Sequence, residues 1–213
     1  TNCNETSIER LHDAGITINK MHYGRVDVIS SAAYDFNGHT SAYSLENAAV
    51  LADFSHLAYF KPAFVENQLK QWGYTSFQWI EGKKTDTQGF LAEKGNYQMI
   101  SFRGTESIKD IITDVWFRKT NAYGGKGKVH SGFEDAVNEI WESLVKALDK
   151  RKNIYISGHS LGGALAQLMA HRLAINNYKV LGVYTFGSPR VGNLKFKNEY
   201  DAFLAGKTFL HIN

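Results

Sequence analysis

Residues 153–174, "NIYISGHSLGGALAQLMAHRLA", decide how the rest of the chain is read. The short apolar run "NIYIS" breaks at Gly158. From there Leu161, Ala164, Leu165, Leu168 and Met169 recur at i, i+3, i+4, i+7 and i+8, the spacing of one helix face. Ser160 therefore stands on a sharp strand-to-helix turn. Large side chains two residues before and two after would collide there, and Gly158 and Gly162 carry none. Gly163 then lets the helix lie close to the sheet. The start of that helix aims backbone N–H groups and the positive end of its dipole at an oxyanion forming beside the serine. Ser160 is expected to be a nucleophile. The plainer alternative is a serine that merely caps a helix. Gly-x-Ser-x-Gly alone arises by chance in roughly one chain in fifteen of this length, so the strand and helix around it carry the reading.

Outward from this turn the chain alternates. A helix is expected over 131–150, the strand "NIYIS", a helix from Ser160 to about Asn176, the strand "VLGVYTF" (180–186), a helix near 194–205 and a last strand "TFLHI". Earlier come a helix within 41–59 capped by Ser44, a second from Pro62 to near Gly73, and strands at 74–80, 87–92 and 97–102. Strands alternating with helices of this length imply a mostly parallel sheet covered on both faces, an α/β fold. Residues 41–213 read as one domain, and residues 1–40 are an N-terminal segment without an assignment.

The bulk composition narrows the function. With 43% apolar and 21% charged residues the chain is of ordinary globular type. Its net charge of +3 is scattered, which argues against a nucleic-acid partner. The run "KALDKRK" (146–152) suits a helix end, where cations meet the last carbonyls. Cys3 is the only cysteine, so no disulfide closes within the chain, and neither Cys/His zinc spacing nor H-E-x-x-H occurs. No metal or other cofactor is expected. No apolar stretch approaches the ~18 residues of a membrane span, and the polar opening from Thr1 shows no signal peptide. "YGGKGK" (123–128) lacks the phosphate-loop spacing and reads as a basic loop.

"GHSLGGALA" resembles the nucleophile elbow of the class 3 (fungal-type) lipases, which have the α/β-hydrolase fold. "MISFRGTES" (99–107) resembles the strand leading to that family's oxyanion residue. "VHSGFEDAV" (129–137) resembles the segment opening its next long helix, and "VYTFGSPRVGN" (183–193) the strand and loop after the nucleophile helix. The resemblance covers about residues 41–213. It implies that the Thr105 backbone N–H and hydroxyl, with the N–H of Leu161, form the oxyanion hole. It implies that Asp114 orients that hydroxyl, although an exposed helix acid fits Asp114 as well. It also implies a serine ester hydrolase acting on acylglycerols or phospholipids without a cofactor, in transient contact with a lipid interface, and by family habit secreted. His159 and His130 read as packing residues.

"ESIKDIITDVWF" places Ile108, Ile111, Ile112, Val115 and Trp116 on one helical face and Glu106, Lys109, Asp110 and Thr113 on the other. In the family this segment is the lid; a helix packed on the core fits the same pattern.

In α/β-hydrolases the acid and then the histidine follow the serine. After Ser160 the candidates are Asp201, with Glu199 beside it, and His171 and His211. His171 is carried away along the nucleophile helix, Asp201 falls within a helix, and His211 lies inside the last apolar run. By the family pattern the catalytic Asp and His come beyond Asn213, and the fold is truncated at its C-terminus. Two further readings stay open: a triad rearranged onto Asp201 and His211, and a lipase-like domain that only binds lipid or a protein partner.

Overall fold

The computed structural model describes residues 35–105 and 119–212. In chain order the elements are α1 (Leu45–Leu57), α2 (Pro62–Gln71), β1 (Ser76–Gly82), β2 (Thr87–Lys94), β3 (Tyr97–Phe102), β4 (Lys119–Asn121), β5 (Lys128–His130) and α3 (Ser131–Ala147). They continue with β6 (Asn153–His159), α4 (Leu161–Ile175), β7 (Val180–Phe186), α5 (Leu194–Leu204) and β8 (Thr208–His211). Six strands form one sheet in the order β1-β2-β3-β6-β7-β8. The two pairings among β1, β2 and β3 are antiparallel, and β3, β6, β7 and β8 run parallel. The strand and helix expectations hold to within a few residues.

Alternation along the strands builds two cores, because successive side chains leave a sheet on opposite faces. Ile154, Ile156, Ile100, Phe102 and Val183 point to the face covered by α3, α4 and α5. Tyr155, Met99 and Tyr184 point to the face covered by α1 and α2. β6 and β3 run side by side with Phe102 opposite Gly158, so the segment after β3 leaves the sheet beside the serine turn.

Two differences from the sequence expectation have local causes. α3 stops at Ala147 rather than Lys150, because Leu148 is extended (ψ 136°). Asp149 then binds Arg151 through both backbone and guanidinium, and its own N–H donates to Gln98. The β4–β5 hairpin has no sequence signal: its strands are three residues each and polar apart from the buried Val129, too short to show periodicity.

Residues 35–40 are tied to the domain. The Phe36 ring lies 4.9 Å from Tyr97 and 4.8 Å from Tyr155, and the Tyr155 hydroxyl donates to the Thr40 carbonyl at 2.7 Å. Ser44 caps α1 as expected, accepting from the Asn47 N–H.

α1 also carries Asp53, only 8% exposed, and burial pushes its pKa up to about 7. The folded state therefore holds a proton there that the unfolded chain releases near 3.8. Its penalty grows as pH rises between those values and is complete above the higher one. Asp53→Asn is expected to leave stability unchanged near pH 4 and to raise it by roughly 2–4 kcal/mol at pH 8. Thermal melts at the two pH values check this, and an equal shift at both would refute it.

Candidate active site

Ser160 joins β6 to α4 with φ 53° and ψ −124°. A non-glycine residue at positive φ costs about 1–3 kcal/mol and persists only where its surroundings impose it. Here they do. The Ser160 N–H donates to the Phe186 carbonyl at 2.8 Å and its carbonyl accepts from the Gly163 N–H at 2.9 Å. A methyl on Gly158 would lie 2.2 Å from the Gly162 carbonyl group, and one on Gly162 would lie 2.2 Å from the Phe102 carbonyl oxygen. The turn closes only with glycine at both positions. The helix-cap alternative fails, because the Ser160 side chain makes no capping bond and its backbone lacks the extended geometry of a cap.

The segment after β3 passes directly over this turn. A methyl on Gly104 would stand 2.6 Å from the His159 carbonyl oxygen and 3.3 Å from the Ser160 Cβ, so Thr105 follows at once from the closest approach. Arg103 fixes the segment to β2, its N–H donating to the Gln88 carbonyl at 2.9 Å and its guanidinium to the Gln88 side chain at 2.6 Å. Leu161 opens α4 beside the serine. Asp114, Ile108, Ile111, Ile112, Val115 and Trp116 lie outside the described residues.

The histidines and acids sort clearly. His159 turns aside: its Nδ1 is 2.8 Å from the Tyr59 hydroxyl, and burial holds its pKa below the ordinary range. The His130 ring packs 4.4 Å from Phe133. His171 is buried against Phe196 and Tyr200, 3.9 Å from Glu199, with burial pushing its pKa down to about 4. Asp201 pairs with Lys197, one turn away on α5. His211 stacks on Phe186 with ring centroids 4.7 Å apart. Asp201 and His211 make no contact with each other that would form an acid–base pair. Among the described residues no side chain accepts the Ser160 proton.

Two polar pairings support the site. Arg172 on α4 donates to Glu134 on α3 at 2.6 Å and also to Asn138. Tyr59 reaches His159 across 100 positions of sequence. Neither pairing has a local spacing signal.

A profile described as "Lipase (class 3)" matches residues 99–212, more than half of the chain. The chain belongs to the class 3 lipases. The matched stretch spans the segment over the serine, the serine turn itself and the strands on either side. A lipase of Rhizomucor miehei is 39% identical over 131 residues, covering 53% of this chain and 35% of that protein. The secreted mono- and diacylglycerol lipase A of Penicillium camembertii is 30% identical over 147 residues, covering 65% and 48%. The crystal structure of a mono- and diacylglycerol lipase from Aspergillus oryzae superposes with a TM-score of 0.66 at 24% identity, covering 79% of this chain and 70% of that one. The shared fold is the α/β-hydrolase fold of the fungal lipases. This class 3 lipase chain spans a third to a half of the length of these curated relatives.

Proposed function

We propose that the protein is a serine ester hydrolase that cleaves lipid esters, acylglycerols or the acyl esters of phospholipids, through an acyl-enzyme on Ser160. The observation that carries this is the strained backbone of Ser160, held at the start of α4 with the Gly104 segment packed on its Cβ. Ser160 Oγ attacks the ester carbonyl. The Thr105 N–H and hydroxyl and the Leu161 N–H receive the oxyanion, each such donor being worth about 2.7–4 kcal/mol of transition-state stabilisation. Asp114 orients the Thr105 hydroxyl. Ile108, Ile111, Ile112, Val115 and Trp116 form the apolar face of a lid that turns toward the lipid interface. Among the described residues no histidine–carboxylate pair is bonded to Ser160: His171 packs on Tyr200, His211 stacks on Phe186 and Asp201 pairs with Lys197. Secretion fits both this substrate class and the names of relatives.

The test is labelling of the full-length protein with a fluorophosphonate, followed by mass analysis of peptides. Modification of Ser160, with loss of ester hydrolysis, is the expected result. Hydrolysis that persists with Ser160 unlabelled would refute the assignment. A folded protein that neither labels nor hydrolyses would be a lipid- or partner-binding domain.

A further inference from the structure

Tyr59 sits where two arms of the site meet. It follows α1 in a tight corner: its N–H donates to the His56 carbonyl at 3.1 Å, the next N–H to Leu57 at 3.0 Å, and Pro62 opens α2 immediately after. The corner is anchored by Phe54, Leu57 and Ala58, all fully buried. From it the Tyr59 hydroxyl reaches His159 Nδ1 at 2.8 Å, one residue before the nucleophile. The same hydroxyl lies against Gly104, one residue before Thr105, where an added methyl would fall 2.2 Å from the oxygen. Arg103 lies 5.7 Å from the centre of the Tyr59 ring. One oxygen therefore touches both the segment that carries Thr105 and the turn that carries Ser160.

We infer that Tyr59 is a positioning residue that sets the spacing between the Thr105 segment and Ser160 through its hydrogen bond to His159. The reaction affected is the one proposed above, and the inference rests on that reading. Ser160 Oγ and the oxyanion donors must meet one tetrahedral carbon together, and a misplacement near 1 Å costs on the order of 100-fold in rate. The two arms belong to different strands, β3 and β6. Their backbones pair only as far as Phe102 and Gly158, so beyond the sheet no strand pairing fixes the gap between them. His159 serves here as a neutral acceptor or donor, since burial disfavours its charged form. His159 adjoins the serine without being its base, and the bond to Tyr59 gives that histidine a use.

The test uses the full-length protein and a soluble p-nitrophenyl ester. Tyr59→Phe is expected to lower kcat about tenfold, leaving KM within about twofold and Tm within a few degrees, and to speed amide exchange at 103–105 and 159–161. His159→Leu should do the same, and the double variant should be no worse than either single one. His159→Asn, whose amide stands where Nδ1 does, should recover most of the rate. Tyr74→Phe, which removes a buried hydroxyl from the Met99 sulfur far from the serine, is the control expected to change nothing. Unchanged kcat and exchange in Tyr59→Phe would overturn the inference, as would losses that multiply in the double variant. If the wild type proves inactive, the hydrolase reading falls, and exchange at the two arms still decides the positioning role.

Discussion

Ser160→Ala is expected to reduce ester hydrolysis by on the order of 10⁴-fold or more while leaving the fold intact. The chemistry requires it, because the oxyanion donors and substrate contacts that remain can stabilise a transition state but cannot supply a covalent nucleophile. The fold tolerates the change for a structural reason. The serine Cβ stays, so the packing against Gly104 is kept, and the lost hydroxyl makes no hydrogen bond among the described residues. Ser160→Gly extends the argument: it should be equally inactive, yet more stable than Ser160→Ala by about 1 kcal/mol, because glycine accepts φ near 53° without strain. Rates on an emulsified and a soluble ester, with melts of all three proteins, check both statements. Activity of Ser160→Ala within tenfold of wild type would remove Ser160 from the mechanism.

The second large effect is on stability. Arg172→Met is expected to cost about 3–5 kcal/mol, because it leaves Glu134 buried without its counter-charge. Arg172 is 3% exposed and Glu134 6%, and the guanidinium lies over the rings of Tyr123 and Trp141, at 4.4 Å and 5.3 Å from their centres. Burial raises the Glu134 pKa in spite of the arginine, which opposes that shift. A carboxyl group whose folded pKa lies above its unfolded value destabilises increasingly as pH rises through that interval. The Arg172→Met protein should therefore melt higher at pH 5 than at pH 8, more so than the wild type. Pairing it with Glu134→Leu removes the stranded charge, and the double variant should be more stable than Arg172→Met alone. A double variant less stable than Arg172→Met would contradict the account. The pair matters to the site because it ties α4, which begins at Leu161, to α3.

The nucleophile turn was legible because its constraints are local. Gly158, Ser160 and Gly162 lie within five positions, and the contact that demands glycine at 158 is made by the backbone of Gly162 and Gly163 within that turn. The strands and helices were legible for a similar reason, since "NIYIS" is a short apolar run that breaks at Gly158 and Leu161, Leu165 and Leu168 keep a helical period. The end of α3 is not legible, because Asp149 and Arg151 form a turn there that their helix-favouring neighbours conceal. The roles of His159 and His211 illustrate the boundary. Sequence placed one beside the serine and one inside the last apolar run. Only the assembled sheet stacks His211 on Phe186 and brings Tyr59 to His159.

The serine on its turn and the alternating elements can be read from the chain alone, because each is written in spacings of a few residues that backbone sterics enforce, and the family is read from the resemblance of four short motifs. Only the tertiary structure shows which distant polar groups meet: Arg172 with Glu134, and Tyr59 with His159. These pairs join segments 38 and 100 positions apart. Such partners are chosen by how helices close over a sheet, and no short-range pattern in the chain encodes that closure.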